Sequence, residues 1–285
     1  MIPIYNGRES LQRALLPHPA DFSLLWIYGG NGVWQKRKDT SMKEKFVLIT
    51  GASGGIGYPT ALLFAAKGYH VIAHCHKHPD RLLQLKEELS DSYGAPCHIL
   101  SADLSCRQDV QSLFQKVYEI CPALDVLVNN TGISYVGLFT DMASEDWETV
   151  LHTNLSSVFY CCQEALSPMI RQKRGKIINI SSIWGSTGAS CEVAYSAAKS
   201  GVNGLTRALA KELAPSNIQV NALAFGAIDT SMNHHLSEEE RMQLQEDIPM
   251  GRFGTPEEAA LAIYTLAEAP SYLTGQIIGV DGGFC

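Results

Sequence analysis

The chain has 285 residues, of which 46% are hydrophobic and 18% charged, and its formal net charge is −7. This length supports one sizeable core, and the negative charge argues against a nucleic-acid partner, because a phosphate-binding surface needs an excess of Lys and Arg. No apolar run reaches the roughly 18 residues that span a bilayer, so we expect no membrane insertion and a cytoplasmic protein. The eight cysteines lack C-x-x-C spacing, which predicts free thiols in a reducing compartment.

Residues 1–41 differ in composition from the rest of the chain. They mix Pro, Gly and aromatic residues with the basic run Lys36–Lys38, and no helical or strand period is readable in them. We therefore predict a disordered N-terminal extension over 1–41 and a single domain over 42–285. The alternative is an ordered arm that packs through Phe22, Trp26 and Trp34.

From residue 45 onward, short β-rich runs alternate with helical patterns. The predicted strands lie near residues 45–50, 69–75, 97–101, 124–129, 176–181, 218–224 and 276–280. Such alternation predicts the α/β class, with right-handed crossovers between parallel strands. The expected fold is a single Rossmann-type, doubly wound parallel sheet of about seven strands with helices on both faces. Its functional site is expected at the carboxyl ends of the strands.

A glycine-rich turn follows the first predicted strand of this domain. The segment Thr50–Gly57 reads T-G-A-S-G-G-I-G and is followed by an Ala- and Leu-rich helical pattern from Ala61 to Lys67. Glycines let a backbone approach a pyrophosphate closely, and the free amides at the start of a helix point at the anion. The alternative is an ordinary turn, but the strand and helix on either side favour nucleotide binding.

Tyr195 and Lys199 lie four residues apart on a predicted helix and therefore on the same face. A phenol ordinarily loses its proton near pH 10, and an adjacent ammonium is expected to lower that pKa toward the range of a general acid. Taken alone, such a pair is more often a packed Tyr and a solvated Lys. The glycine-rich turn upstream favours the catalytic interpretation of this pair.

Together these motifs resemble the classical short-chain dehydrogenase/reductase family over about residues 43 to 285. The closest pattern within it is that of the 3-oxoacyl-[acyl-carrier-protein] reductases. The motifs that carry the resemblance, in chain order, are Thr50–Gly57, Asp103-Leu104, Asn129-Asn130-Thr131-Gly132, Asn154, Ser182, Tyr195 with Lys199, Thr274-Gly275-Gln276 and Val280–Gly283.

The resemblance implies a catalytic tetrad of Asn154, Ser182, Tyr195 and Lys199. Tyr195 would exchange a proton with the substrate oxygen as hydride moves to or from a nicotinamide, and Ser182 would orient the same oxygen. Lys199 would hold the nicotinamide ribose and lower the pKa of the tyrosine, while Asn154 would help to hold a relay water. The expected substrate contacts are Ser182, Trp184, Glu192 and Tyr195.

The same resemblance implies a nicotinamide cofactor. The expected contacts are Gly51, Ser53, Gly55, Ile56, Gly57, His76, Lys77, Asp103, Leu104, Asn130, Gly132, Tyr195, Lys199, Gly226, Ile228 and Thr230. NAD-preferring members typically carry Asp where this chain has Cys75, and the following His76 and Lys77 offer donors and positive charge. We therefore predict NADP(H) as the preferred cofactor, with NAD(H) also possible. Gly54 argues against the NADP(H) preference, since many NADP-preferring relatives have Arg at that position. The alternate histidines of 74–78 could chelate a metal, but they lie where the adenosine ribose is expected, so no metal is predicted.

The expected partner is a small-molecule carbonyl or alcohol substrate, free or carried on acyl carrier protein, and the resemblance implies a homotetramer or homodimer. Lys173 and Arg174 fit the basic surface that docks the carrier, whereas Ser216 and Phe225 depart from the reductase pattern. A dehydrogenase of a steroid, sugar or other small alcohol is the alternative activity. A non-catalytic NADP-sensing regulator or scaffold is the alternative of another class, disfavoured because the whole tetrad is present.

Overall fold

The computed structural model describes residues 25–28, 34–37, 44–233 and 236–285, which fall into two units, 1–44 and 45–285. In the first unit, strands β1 (Leu25–Tyr28) and β2 (Trp34–Arg37) pair antiparallel. The sequence pattern did not indicate these strands. The remaining residues of the predicted N-terminal extension, Phe22 among them, lie outside the described residues, and their disorder stays a prediction.

The second unit is built on a seven-stranded parallel sheet, which confirms the predicted fold class. Its strands are β3 (Lys45–Ile49), β4 (Tyr69–Cys75), β5 (Cys97–Ser101), β6 (Val126–Asn129), β7 (Gly175–Ser182), β8 (Ile218–Phe225) and β9 (Ile277–Val280). Their spatial order is β5-β4-β3-β6-β7-β8-β9, so the direction of winding reverses between β3 and β6. In a doubly wound sheet that reversal opens a crevice at the carboxyl ends, where ligands bind.

Helices cover both faces of this sheet. They are α1 (Gly57–Ala66), α2 (Pro79–Tyr93), α3 (Arg107–Ile120), α4 (Ser144–Leu151), α5 (Ser157–Gln172), α6 (Trp184–Thr187), α7 (Val193–Leu213), α8 (Glu238–Asp247) and α9 (Pro256–Glu268). A π-helical turn, His152–Ser156, joins α4 to α5. Within the described residues, no helix is long and apolar enough to cross a membrane.

Two separate cores hold the layers together. On one face, β3 contributes Val47 and Ile49 to a cluster with Phe64 of α1 and Ile263 of α9. On the other face, β3 contributes Phe46 and Leu48 to a cluster with residues of α3, α5 and α7, among them Phe114, Met169 and Val202. Because β3 is buried on both faces, it reads as a continuous apolar run rather than an alternating one.

Candidate active site

The loops that follow β3 and β6 meet at the crevice through one set of hydrogen bonds. The Thr50 hydroxyl accepts hydrogen bonds from the backbone amides of Asn130 (2.9 Å) and Thr131 (3.1 Å). In return, the Asn130 side-chain amide donates to the carbonyl oxygens of Thr50 (3.0 Å) and Gly51 (3.1 Å). The two motifs, eighty residues apart in sequence, therefore form one rigid edge of the site.

The glycine turn between β3 and α1 needs its glycines for conformation and for space. Gly51 has a φ of +64°, in the left-handed region that favours glycine. A Cβ on Gly57 would lie 2.3 Å from the Gly51 carbonyl oxygen, and a Cβ on Gly55 would lie 2.5 Å from Cγ2 of Thr230. Any larger residue at either position would displace the turn.

The same turn presents hydrogen-bond donors to the crevice. Within the described part of the chain, the backbone amides of Ser53, Gly55 and Ile56 make no backbone hydrogen bond. Helix α1 begins directly after them and has no acidic residue in its first turn. Unpaired amides at the positive end of a helix suit an anionic phosphate, so the turn fits the pyrophosphate of a dinucleotide.

His74 on β4 supports this turn from below, a role that the sequence did not indicate. Its Nδ1 accepts a hydrogen bond from the Gly51 amide (3.3 Å), and its Nε2 lies 3.1 Å from the carbonyl oxygen of Ala102. Burial lowers the pKa of His74 to about 4, so the ring is neutral at neutral pH. Both ring nitrogens of His74 are engaged in these two contacts. No metal-binding group of three or more His, Cys, Asp or Glu occurs among the described residues.

The end of β4 carries the residues predicted to select the cofactor. Cys75 is buried, with its Sγ 3.5 Å from the Ser101 hydroxyl, whereas His76 and Lys77 are exposed. His76 Nε2 lies 3.9 Å from Oδ2 of Asp103. Burial acts to raise the pKa of Asp103, but the hydrogen bonds from Ser105 and the charges of His76 and Lys77 lower it overall.

Further predicted cofactor residues lie in the loops that follow β5, β6 and β8. Gly226 follows β8, and a Cβ there would lie 2.8 Å from Cβ of Asp281. Ile228 and Leu104 are buried, which suits apolar walls rather than polar contacts. A Cβ on Gly132 would lie 2.7 Å from Oδ1 of Asn154 and 3.6 Å from Nζ of Lys199, so the loop after β6 passes directly over these two residues.

The four predicted catalytic residues come from three neighbouring elements. Ser182 is the last residue of β7, and its Oγ accepts a hydrogen bond from the Trp184 amide (3.2 Å). Tyr195 and Lys199 lie on α7, and Asn154 lies in the π-helical turn. Such turns are frequent at functional sites because they displace one side chain from the regular helical path.

Asn154 is fully buried and ties that turn to the loop after β6. Its side-chain nitrogen donates to the carbonyl oxygens of Ile133 and Val150, each at 2.9 Å. Its side-chain oxygen accepts from the Ile133 amide at 3.1 Å. This pattern shows a structural clamp as well as a polar group beside Lys199.

The predicted effect of Lys199 on Tyr195 is wrong in this structure. Burial, followed by the charge of Glu192, raises the pKa of Tyr195 to about 12, and a hydrogen bond with Ser182 only partly opposes them. The Lys199 ammonium donates to the Ile180 carbonyl oxygen (2.8 Å) and lies 5.4 Å from the centroid of the Tyr195 ring. Burial lowers the pKa of Lys199 itself to about 8, so the ammonium form is less favoured than in water but still predominates at pH 7.

Two further residues near the site were not indicated by the sequence. The Ser134 hydroxyl donates to Oε2 of Glu192 at 2.7 Å. Phe284 packs edge-on against Trp184, with ring centroids 5.8 Å apart and an interplanar angle of 70°. Both contacts join segments that are far apart in sequence, and no local motif marks them.

Comparison with known proteins agrees with this geometry. The family model described as short chain dehydrogenase matches residues 45–241. The chain belongs to the short-chain dehydrogenase family. Among curated relatives, the uncharacterized oxidoreductase YmfI of Bacillus subtilis is 41% identical over 242 residues, which cover 85% of this chain and 99% of YmfI. The 3-oxoacyl-[acyl-carrier-protein] reductase FabG of Aquifex aeolicus is 41% identical over 246 residues, covering 86% and 99%.

A solved structure extends the comparison to three dimensions. YwfH, described as an NADPH-dependent reductase involved in bacilysin biosynthesis, superposes with a TM-score of 0.81 at 28% identity. The match covers 85% of this chain and 99% of that chain. As a short-chain dehydrogenase, the protein is an oxidoreductase that uses a nicotinamide cofactor and acts on C=O or CH–OH groups.

Proposed function

We propose that the protein is an NADPH-dependent reductase of a 3-oxoacyl thioester or a related small β-keto compound. The observation that carries this proposal is the meeting of Ser182 and a still-protonated Tyr195 beside the glycine cradle. A hydroxyl with a pKa of about 12 retains its proton at neutral pH and is therefore a donor, as carbonyl reduction requires. The relatives named FabG support the acyl substrate, and the NADPH dependence of YwfH supports NADPH as the cofactor.

Each residue of the tetrad then has a defined task. The glycine turn and Lys199 would hold the nicotinamide cofactor, which would supply the hydride for the carbonyl carbon. Ser182 holds the carbonyl oxygen by a hydrogen bond, and Tyr195 gives its phenolic proton to that oxygen as the C=O bond becomes CH–OH. Lys199 binds the ribose hydroxyls and helps to return a proton to Tyr195. Asn154 holds the loop after β6 through Ile133 and would help to hold a water that relays protons to Lys199.

The NADPH preference rests on charge at the end of β4. Cys75 supplies no carboxylate to accept a ribose hydroxyl or to repel a 2′-phosphate, and His76 and Lys77 offer exposed donors beside it. Asp103 lies beside them, with its Oδ2 3.9 Å from Nε2 of His76. A bound 2′-phosphate would compete with Asp103 for His76.

A polar alcohol or ketone substrate is the second candidate, and Glu192 favours it. A carboxylate beside the proton donor suits a substrate with polar groups better than a plain acyl chain. For the assembly, we propose a homotetramer or homodimer that uses α7, since the exposed Ala197 and Gly204 give this helix small side chains. A regulator without catalysis is disfavoured because all four tetrad residues are present.

The basic residues at the end of α5 allow a test of whether an acyl carrier protein delivers the substrate. Lys173 is exposed, whereas Arg174 forms an ion pair with Asp125, which also accepts a hydrogen bond from the Phe46 amide (2.9 Å). Lys173 is thus the cleaner site for charge reversal. Its backbone carbonyl accepts from the Asn217 side chain (3.0 Å), a contact that substitution of the side chain leaves in place.

The experiment compares acetoacetyl-acyl carrier protein with a small free acetoacetyl thioester, using NADPH and NADH. Lys173→Glu should raise the KM for the carrier-bound substrate in a salt-dependent manner and leave the free thioester nearly unaffected. Lys116→Glu, on the exposed side of α3, is the matched control. An equal response to both substrates would exclude a carrier at this surface, and failure to reduce either thioester would refute the acyl assignment.

A further inference from the structure

Glu192 stands at the start of α7 but does not cap it. The side chain of an N-cap residue often accepts a hydrogen bond from a free amide of the first helical turn. The Glu192 side chain makes no capping hydrogen bond. Its Oε2 instead accepts from the Ser134 hydroxyl on the loop after β6, at 2.7 Å. The carboxylate is thus turned away from its own helix and across the site.

The backbone around Glu192 fixes this orientation. The preceding residue, Cys191, has a φ of +63°, an uncommon conformation for a residue with a side chain. Its carbonyl oxygen accepts from the Gly137 amide at 2.9 Å. Two hydrogen bonds, one from Ser134 and one from Gly137, therefore join the loop after β6 to the segment that precedes α7. These bonds hold the Glu192 carboxylate in place.

One oxygen of this carboxylate remains available. Within the described residues, Oε1 of Glu192 takes part in no hydrogen bond or ion pair, and the residue is only partly buried. The carboxylate also lies close enough to the Tyr195 hydroxyl to raise its pKa. A hydrogen-bond acceptor thus stands beside the group that delivers the proton.

We infer that Glu192 is a specificity-determining residue whose Oε1 accepts a hydrogen bond from a hydroxyl group carried next to the substrate's reacting carbonyl. This inference rests on the proposed reductase function and narrows its substrate class to hydroxylated β-keto compounds. A plain alkyl chain placed there would remove water from the carboxylate without replacing the hydrogen bond, which disfavours such substrates.

The test uses two probes that differ mainly in one hydrogen-bond donor, ethyl 4-hydroxy-3-oxobutanoate and ethyl 4-methoxy-3-oxobutanoate. The kcat/KM of each is measured with NADPH for the unmodified protein, Glu192→Leu and Glu192→Gln, with Glu148→Gln as a control on exposed α4. We expect the unmodified protein to prefer the hydroxyl probe by about tenfold or more. Glu192→Leu should abolish this preference, and Glu192→Gln, which keeps a neutral acceptor, should retain part of it.

Ser134→Ala separates recognition from a purely structural tie between the loops. If Glu192 served only to hold the loops, Ser134→Ala and Glu192→Leu would lower kcat/KM equally for both probes, and that result would overturn the inference. Equal use of the two probes by the unmodified protein would overturn it as well, while leaving the proposed reductase intact. Failure to reduce either probe or any 3-oxoacyl thioester would refute the proposed function, and the inference with it.

Discussion

At the end of β4, a buried thiol occupies the position that we propose discriminates between the two nicotinamide cofactors. Cys75 is 1% exposed, and its only close polar neighbour in the described structure is the Ser101 hydroxyl. It neither attracts a ribose hydroxyl strongly nor repels a phosphate. We therefore propose that the exposed His76 and Lys77 determine the choice of cofactor.

Replacing Cys75 by Asp should reverse the cofactor preference. The new carboxylate would accept a hydrogen bond from the ribose of NADH and repel the 2′-phosphate of NADPH. The measurement is kcat/KM with each cofactor, with Cys75→Ser as the control of similar size and no charge. Equal efficiency with both cofactors in the unmodified protein would contradict the predicted preference.

His74 links the stability of the glycine turn to pH. Burial holds its pKa at about 4, against an ordinary value of 6.5, so the unfolded chain binds a proton that the folded chain excludes between these values. The free energy of unfolding should therefore fall as the pH drops from about 6.5 to 4, with a contribution of about 3 kcal/mol from this residue. Above pH 6.5 this contribution no longer changes.

His74→Gln should flatten this part of the stability profile. Glutamine retains a donor and an acceptor but does not titrate, so unfolding by urea at several pH values should show a smaller loss between pH 6.5 and 4. The variant is expected to be less stable than the unmodified protein at pH 7, since the contacts to Gly51 and Ala102 are imperfectly replaced. An unchanged slope would mean that other groups dominate acid unfolding.

The glycine turn and the loop after β8 act as one element of the site. Thr230 packs so closely over Gly55 that a Cβ on the glycine would overlap its Cβ and Cγ2, at 2.6 and 2.5 Å. The two segments must therefore move together if either is altered. The packing of Thr230 over Gly55 therefore fixes the backbone amides of the glycine turn relative to the loop after β8.

Gly55→Ala should weaken NADPH binding by about tenfold or more and lower the melting temperature, because the turn or Thr230 must shift. The double variant Gly55→Ala, Thr230→Gly should recover much of the affinity. Gly279→Ala in β9, where a Cβ would meet only Oδ2 of Asp281 at an ordinary 3.6 Å, serves as the control for a glycine without a steric role. A tight-binding, stable Gly55→Ala variant would show that the contact is readily relieved.

For the whole molecule, local patterns were sufficient to predict the sheet and the motifs that surround the crevice. Each predicted strand is present, because β-rich runs and glycine turns are local properties of the sequence. The pKa of Tyr195 was predicted in the wrong direction, because burial and the orientation of Glu192 depend on packing through space. Ser134 and Phe284 were missed for the same reason, since their contacts join distant segments.

The division of the chain leads to a prediction about residues 1–41. Every strand of the parallel sheet and all four tetrad residues lie within the unit 45–285. A protein that begins at Met42 should therefore fold, melt at the same temperature and oxidise NADPH at the same rate as the full chain. Thermal melting and NADPH oxidation, run side by side, test this; an unfolded or inactive shortened protein would contradict it.

The central claim is that Tyr195 delivers the proton to the reduced carbonyl. Tyr195→Phe removes only the hydroxyl and keeps the ring beside Lys199, so NADPH binding, followed by fluorescence, should be nearly unchanged. Turnover of a 3-oxoacyl thioester should fall by about 100-fold or more. A variant that bound NADPH normally and kept more than about a tenth of the activity would show that another group supplies the proton.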